Sequence, residues 1–542
     1  MKIGSFIFYR DWDPSKYDEA LRELRENGIS FIILAKKYNL PRVYDDHIVA
    51  EELREFMEMA YEKYNIWCII PAWSGTRPTL FIDKDFTRNH AIVVAKAVRE
   101  LMDLEGFYAV YLDDEPYNCW EFSVERVRNE YNDLFEEETG YRLPDRGKVR
   151  GRWNYETAMT FYRWVSEKYV SYLRTVIEEY KKICPRIKSL INFYLPNLLP
   201  STEAPVDVYG IIETVDIVSH DIYPGWHYYY CRSLENMVAF QTRFLRSLTD
   251  KPVWTILQGH KIMLGYAPTL EQIDRWAMDA VSCGSDCVGW YVAEHEYMMG
   301  AAIPVKTTYT KYGCFERWRK MLETSKKITS MEKKQDKTEI AILVSYDSVI
   351  TYDYRPLIYA FVTLYKDAGI IIDFITEKHL EKKTDLLENY RFIFLGYTPI
   401  LRRYLLSSLE NFVEEGGILI ACCNDLRFDE KLKDLNKWRK KFLGITKEKV
   451  IWKEDSIRLT DKVSGLDNNS IKAFWERHAM TVSETSTEVL GTWSNGLAAI
   501  ISRKIGNGQI IYIGTRPYLA NCIIGEKNWV KFIKSLLKMD NS

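Results

Sequence analysis

The acidic run Asp113-Asp114-Glu115-Pro116 directly follows the apolar stretch Phe107 to Leu112, where a β-strand is expected to end. Adjacent carboxylates at such a place repel one another and raise one of their pKa values. A glutamate so raised can donate a proton at neutral pH. A solvated acidic loop is the plain alternative, and position within the fold decides between them. Other expected strand ends carry groups suited to a ring with hydroxyls on its edge and C–H groups on its faces. The first ends in Tyr9, Arg10, Asp11 and Trp12, the third in Trp73, and the fifth in Asn192 and Tyr194. The sixth supplies His220, Asp221, Tyr223 and Trp226, the seventh Trp254, Gln258 and His260, and the eighth Trp290, Tyr291, Glu294 and Glu296. Each alone reads as a core aromatic or a satisfied polar group. Their shared end of the fold gives them weight.

Short apolar runs alternate with amphipathic stretches, the pattern of parallel strands joined by crossover helices. Strands are expected to begin near Ile3, Ser30, Ile66, Phe107, Lys188, Val215, Pro252 and Asp286. Between them lie helical patterns such as Tyr17 to Leu24, which Asn27-Gly28 closes with a left-handed C-cap. Eight alternations ending near residue 325 predict a (β/α)8 TIM barrel over residues 1–325. The charged stretch 326–338 reads as a linker. Residues 339–542 form another α/β series, expected to be a flavodoxin-like open sheet, with a turn at Gly506-Asn507-Gly508 near its end.

A chain of 542 residues exceeds one ordinary core, which supports this division. Its 74 basic and 76 acidic residues nearly cancel, so neither nucleic acid nor an anionic membrane is an expected partner. No run of about 18 uncharged apolar residues occurs, and none is expected to span a membrane. The N-terminal residues lack the basic and apolar regions of an export signal, and cysteines are sparse, so a cytoplasmic location is expected. Cys283 and Cys287 have no second pair at matching spacing, and no metal or other cofactor is expected.

Three features together resemble the clan A glycoside hydrolases, especially the family 42 β-galactosidases: Asp114-Glu115 after strand four, the strand-six segment Val215 to Pro224, and the second domain. In that domain Ile342 to Ser348, Gly369 to Asp373, Glu414 to Gly417 and Gly506 to Gly508 resemble the family's trimerisation domain, a relative of class I glutamine amidotransferases. The resemblance implies a β-linked sugar substrate and Glu115 as acid/base. It also implies a nucleophilic glutamate after strand seven, and a homo-oligomer, trimer or dimer.

Strand seven departs from that pattern. It ends Leu257-Gln258-Gly259-His260, with no carboxylate before Glu271, and an amide has no anionic oxygen to attack an anomeric carbon. Three routes stay open. Asp221, Glu294 or Glu296 supplies the second carboxylate; a substrate 2-acetamido group attacks while Asp114 orients it; or the barrel binds sugar without cleaving it. Asp114 stands where many clan A enzymes carry asparagine, and a carboxylate there suits a 2-amino or 2-acetamido sugar. An amidotransferase is a weaker alternative, because Cys422-Cys423-Asn424 lacks the glycines of a nucleophile turn and reads as core.

Overall fold

The computed structural model describes residues 2–7, 15, 17–34, 51–72, 81–116, 127–143, 155–193, 206–224, 235–259, 267–291, 315–331, 337–352, 354–452, 455–461, 463, 469–482 and 486–538. The chain divides into two units, Met1–Gln335 and Asp336–Ser542.

In the first unit, β1 (Lys2–Ile7), β2 (Phe31–Leu34), β3 (Trp67–Pro71), β4 (Phe107–Asp114), β5 (Lys188–Phe193), β6 (Ile217–Ile222), β7 (Val253–Gln258) and β8 (Cys287–Tyr291) are all parallel. They pair in chain order, and β8 returns to β1 to close the barrel. The expected TIM barrel is therefore the observed one. Amphipathic helices cross between strands. The helix Tyr17–Glu26 is followed by Gly28 at φ +87°, the left-handed closure read from Asn27-Gly28. Thr269 and Gln272 form a reciprocal capping box on the helix Leu270–Ser282. The last helix runs Phe315–Thr329, so Lys326 and Lys327 belong to it, which corrects the expected start of the linker.

A buried cluster including Phe31, Tyr111, Leu190, Ile217, Trp254, Ile256 and Cys287 fills the barrel. Strand alternation then puts Asn192, Ser219, Asp221, Gln258 and Tyr291 on the same inner wall, toward the C-terminal ends. Trp254 lies lower, packed 5.0 Å from Phe31, and is core rather than a sugar contact.

The second unit begins as expected, with parallel β9 (Ile340–Val344), β10 (Asp373–Thr376), β11 (Phe392–Leu395) and β12 (Ile418–Cys422) in the order β10-β9-β11-β12. The sheet then continues beyond the sequence-based description. β13 (Ile445–Ile451), β14 (Ser456–Leu459), β15 (Ser470–Lys472), β16 (Arg477–Val482), β17 (Thr487–Thr492), β18 (Ala498–Ile505) and β19 (Gly508–Ile513) complete it. β19 runs parallel to β12 and antiparallel to β18, joining the two halves. Cys422, the last residue of β12, and the adjacent Cys423 are buried, with burial pushing the Cys423 thiol up to about 12, as core thiols should be.

The turn between β18 and β19 has two central residues, Gly506 at φ +58° and Asn507. A Cβ on Gly508 would lie 2.3 Å from the carbonyl oxygens of Gly417 and Val413, so the position admits only glycine without backbone movement. Gly508→Ala is expected to destabilise this unit by about 1–3 kcal/mol, the usual cost of overpacking. Urea unfolding followed by tryptophan fluorescence checks this, and an unchanged midpoint would contradict the crowding described.

Candidate active site

The tip of β4 is shaped by a bulge. Tyr111 pairs with Leu190, but Asp113 pairs with Ile191 and Asp114 with Asn192, so Leu112 is the extra residue. The insertion reverses which face each later side chain meets. Asp113 points outward, where the Tyr169 hydroxyl of the helix Tyr155–Ile183 donates to its Oδ2 at 2.6 Å. Asp114 points inward. Its Oδ1 accepts from the Tyr111 hydroxyl and, at 3.1 Å, from Asn192 Nδ2. Glu115 follows at φ +48°, a left-handed conformation rare outside glycine, and its backbone N–H donates to the Asn192 carbonyl at 3.0 Å. One asparagine therefore fixes both acids.

Asn192 is itself held from below, since Ser219 Oγ donates to its Oδ1 at 2.8 Å. It is wholly buried. Both ends of its amide are used inside the protein, which corrects its expected role as a sugar contact: it supports Asp114. Tyr111, absent from the residues picked out of the sequence, has the same supporting role from within β4.

Asp221 lies buried on the inner face of β6, with its Oδ1 lacking a hydrogen-bond partner among the described residues, and Tyr223, Glu115 and Asn192 hold its pKa down against burial. Burial, and then the charge of Asp114, push its pKa up to about 8. Burial likewise raises Asp114. The expected repulsion among chain neighbours is thus the smaller effect. Asp113 is raised to about 7 chiefly by burial, and the repulsion that matters crosses the barrel from Asp114 to Asp221. Asp221 is one of the expected candidates for the second carboxylate, and its separation from Glu115 decides the role it can play. A nucleophile stands about 5–5.5 Å from the acid, and a water-activating base about 6.5–9.5 Å, with the sugar between.

Across the mouth, Tyr223 lies 5.4 Å from Tyr291, ring to ring, and the charges of Asp221, Glu115 and Asp114 join burial in raising the Tyr223 pKa. Gln258 closes β7 in register with Tyr291 and is wholly buried. Trp290 faces the other way: its indole N–H donates to Ser325 Oγ at 2.9 Å on the helix Phe315–Thr329, so its expected sugar contact is also corrected. His220 is likewise outward, between Thr242 and Thr255 at 2.9 and 3.0 Å. Arg10, Trp73, Tyr194, Trp226, His260, Glu294 and Glu296 lie outside the described residues. The site assembled from the others is Asp114, Glu115, Asp221, Tyr223 and Tyr291, with Tyr111, Asn192 and Ser219 beneath.

Residues 143–299 match the family model described as Beta-galactosidase, and residues 336–536 match the Beta-galactosidase trimerisation domain. In both domains this chain resembles the family 42 β-galactosidases. Three solved structures share the fold over nearly the whole chain. A beta-galactosidase from Rahnella sp. R3 is 14% identical, with a TM-score of 0.79 over 100% of this chain and 88% of that one. One from the haloarchaeon Halorubrum lacusprofundi is 14% identical, with a TM-score of 0.77 over 99% and 90%. An exo-beta-1,4-mannosidase from Opitutaceae bacterium strain TAV5 is 12% identical, with a TM-score of 0.65 over 99% and 96%. No curated protein matches the chain. The two family matches bear out the glycoside hydrolase read from the sequence, acting on a β-linked sugar. Among the described residues, no helix is long and apolar enough to cross a membrane.

Proposed function

We propose that Glu115 is the proton donor of this glycoside hydrolase, and that a β-galactoside or a β-linked 2-amino or 2-acetamido sugar occupies the barrel mouth. What supports this is the placement of Glu115 directly after β4, with Asp114 on β4 and the buried Asp221 on β6 at the same end of the barrel. Buried acids crowded at one end of the barrel cannot all ionise cheaply, and Asp221 is pushed up to about 8 by burial and the charge of Asp114, so the cluster retains a proton at neutral pH. Glu115 delivers it to the glycosidic oxygen as the C–O bond breaks, and the electron pair leaves with the aglycone.

The attacking group differs from that of a simple double displacement, because Gln258 closes β7 and cannot form a glycosyl ester. The route best supported is attack by the substrate's own 2-acetamido oxygen, with Asp114 accepting its N–H. Asp114 reaches the mouth beside Glu115, and Tyr111 and Asn192 hold its Oδ1. A second carboxylate, Asp221, Glu294 or Glu296, attacking or activating water is the second route. Residues 336–536 match a trimerisation domain, which supports a closed homo-oligomer, trimer before dimer. Seven free cysteines among the described residues support a reducing, cytoplasmic setting.

Gln258 also favours a second reading, a barrel that binds sugar without cleaving it. Nitrophenyl β-galactoside, β-glucosaminide and β-N-acetylglucosaminide separate the two. Turnover of at least one is expected, with the acetamido sugar preferred if Asp114 orients it. Calorimetric binding across the set with no released nitrophenol would establish the noncatalytic reading.

A further inference from the structure

The second unit carries an open groove of about 820 Å³ whose walls include Trp452, Asp455, Lys472, Trp475 and Arg477. Trp452 follows β13 and is 70% exposed, and Trp475 follows β15 and is 57% exposed. Large indole faces left in water mark a binding surface more often than a lone exposed leucine does. Trp475 holds φ +68°, a conformation costly for a bulky residue, while its side chain stays in solvent instead of the core.

The charges in the groove do not cancel internally. Arg477, at the start of β16, is only 5% exposed, and its Nε is fully shielded with no hydrogen-bond partner among the described residues. A guanidinium stays ionised in any protein, and burying one without an acid partner is expensive. Lys472 adds an exposed ammonium. The acid on the wall, Asp455, is already occupied: its Oδ1 accepts from Ser456 N at 2.8 Å, and its Oδ2 from Ser494 N and Oγ at 3.2 and 2.8 Å. Those neutral donors leave the Asp455 charge in place, so the cleft has two flat apolar faces and two cations, Arg477 and Lys472, against one anion.

We propose that this groove is an ancillary carbohydrate site for an acidic saccharide, with sugar C–H faces on Trp452 and Trp475 and a uronate carboxylate on Arg477 and Lys472. Aromatic walls with a few directed polar groups suit a pyranose, and a guanidinium meets a carboxylate with two parallel hydrogen bonds. A neutral sugar offers Arg477 hydroxyl acceptors, whereas a uronate adds the opposite charge and a bidentate partner. The proposal does not depend on Glu115 or on the barrel chemistry.

Calorimetric titration of the full chain with trimers of galacturonate, glucuronate and mannuronate, against a neutral galactose trimer, tests it. At least one uronate trimer is expected to bind at least tenfold more tightly than the neutral one, and more weakly as salt rises. Arg477→Gln and Trp452→Ala should each weaken that binding at least tenfold while leaving nitrophenyl glycoside turnover unchanged. The Trp452 ring is mostly in solvent, so its removal does not threaten folding. Absence of binding to all three uronates, equal affinity for the neutral trimer, or wild-type affinity in both variants would overturn the proposal. A fall in sedimenting mass for Trp452→Ala, without saccharide binding by the parent chain, would instead make this face a contact between copies and overturn it equally.

Discussion

Glu115→Gln is expected to lower kcat on a glycoside with a poor leaving group by about 10²–10⁴-fold, the usual worth of a positioned proton donor. The amide keeps the size of the side chain but cannot transfer a proton, and the left-handed backbone at this position is unchanged by the swap. On a dinitrophenyl glycoside the loss should be far smaller, since that phenolate departs without protonation. The contrast between leaving groups is the decisive measurement. A uniform loss would make Glu115 an orienting group rather than the acid, and an undiminished rate on both substrates would remove it from the chemistry. Matching circular dichroism and melting curves show that the variant folds.

The second large effect concerns pH. Asp221 has its pKa raised to about 8 by burial and by the charge of Asp114, and Glu115 is among the groups that act on its titration. In such a pair the first proton leaves early and the second is held by the negative charge that the first leaves behind. Catalysis needs that second proton, so the alkaline limb of kcat/KM against pH is set by the pair. Asp221→Asn removes the neighbouring charge, and Glu115 then loses its proton at lower pH. The alkaline limb should move down by about 1–2 pH units, and the rate at pH 8 should fall at least tenfold while the rate at pH 5 changes little. A profile that drops in height at every pH without shifting would make Asp221 a packing residue only.

The barrel and the position of its acids were legible because a strand end is marked twice in the sequence. The apolar run stops at Leu112, and the carboxylates begin at Asp113. What each carboxylate does was not legible, because the bulge between Tyr111 and Asp113 depends on pairing with β5, a partner far along the chain. Without the bulge Asp113 would face the mouth and Asp114 the helices. Trp290 was misplaced for a related reason: composition shows an aromatic at a strand end, but only the inward direction of Cys287 fixes Trp290 as outward. Asn192 was correctly put at the site and wrongly given to the sugar, since its two partners, Asp114 and Ser219, come from β4 and β6. In the second unit the short parallel strands had clear apolar runs. In the antiparallel extension the apolar runs of β18 and β19 were legible too, but β13 lacked one because it stays largely exposed along its length.

The junction of the two half-sheets also sets an order of assembly. β12 rests between β11 and β19, and β19 is synthesised after every other strand of its unit. Until the ribosome has passed Ile513, the fully buried Ile-Leu-Ile-Ala-Cys segment of β12 has an open hydrogen-bonding edge and no neighbour on that side. A nascent chain stalled or cut within β18 therefore presents a sticky ribbon rather than a smaller folded domain. The last strand made is the one that hides it, so the whole unit waits on its tail.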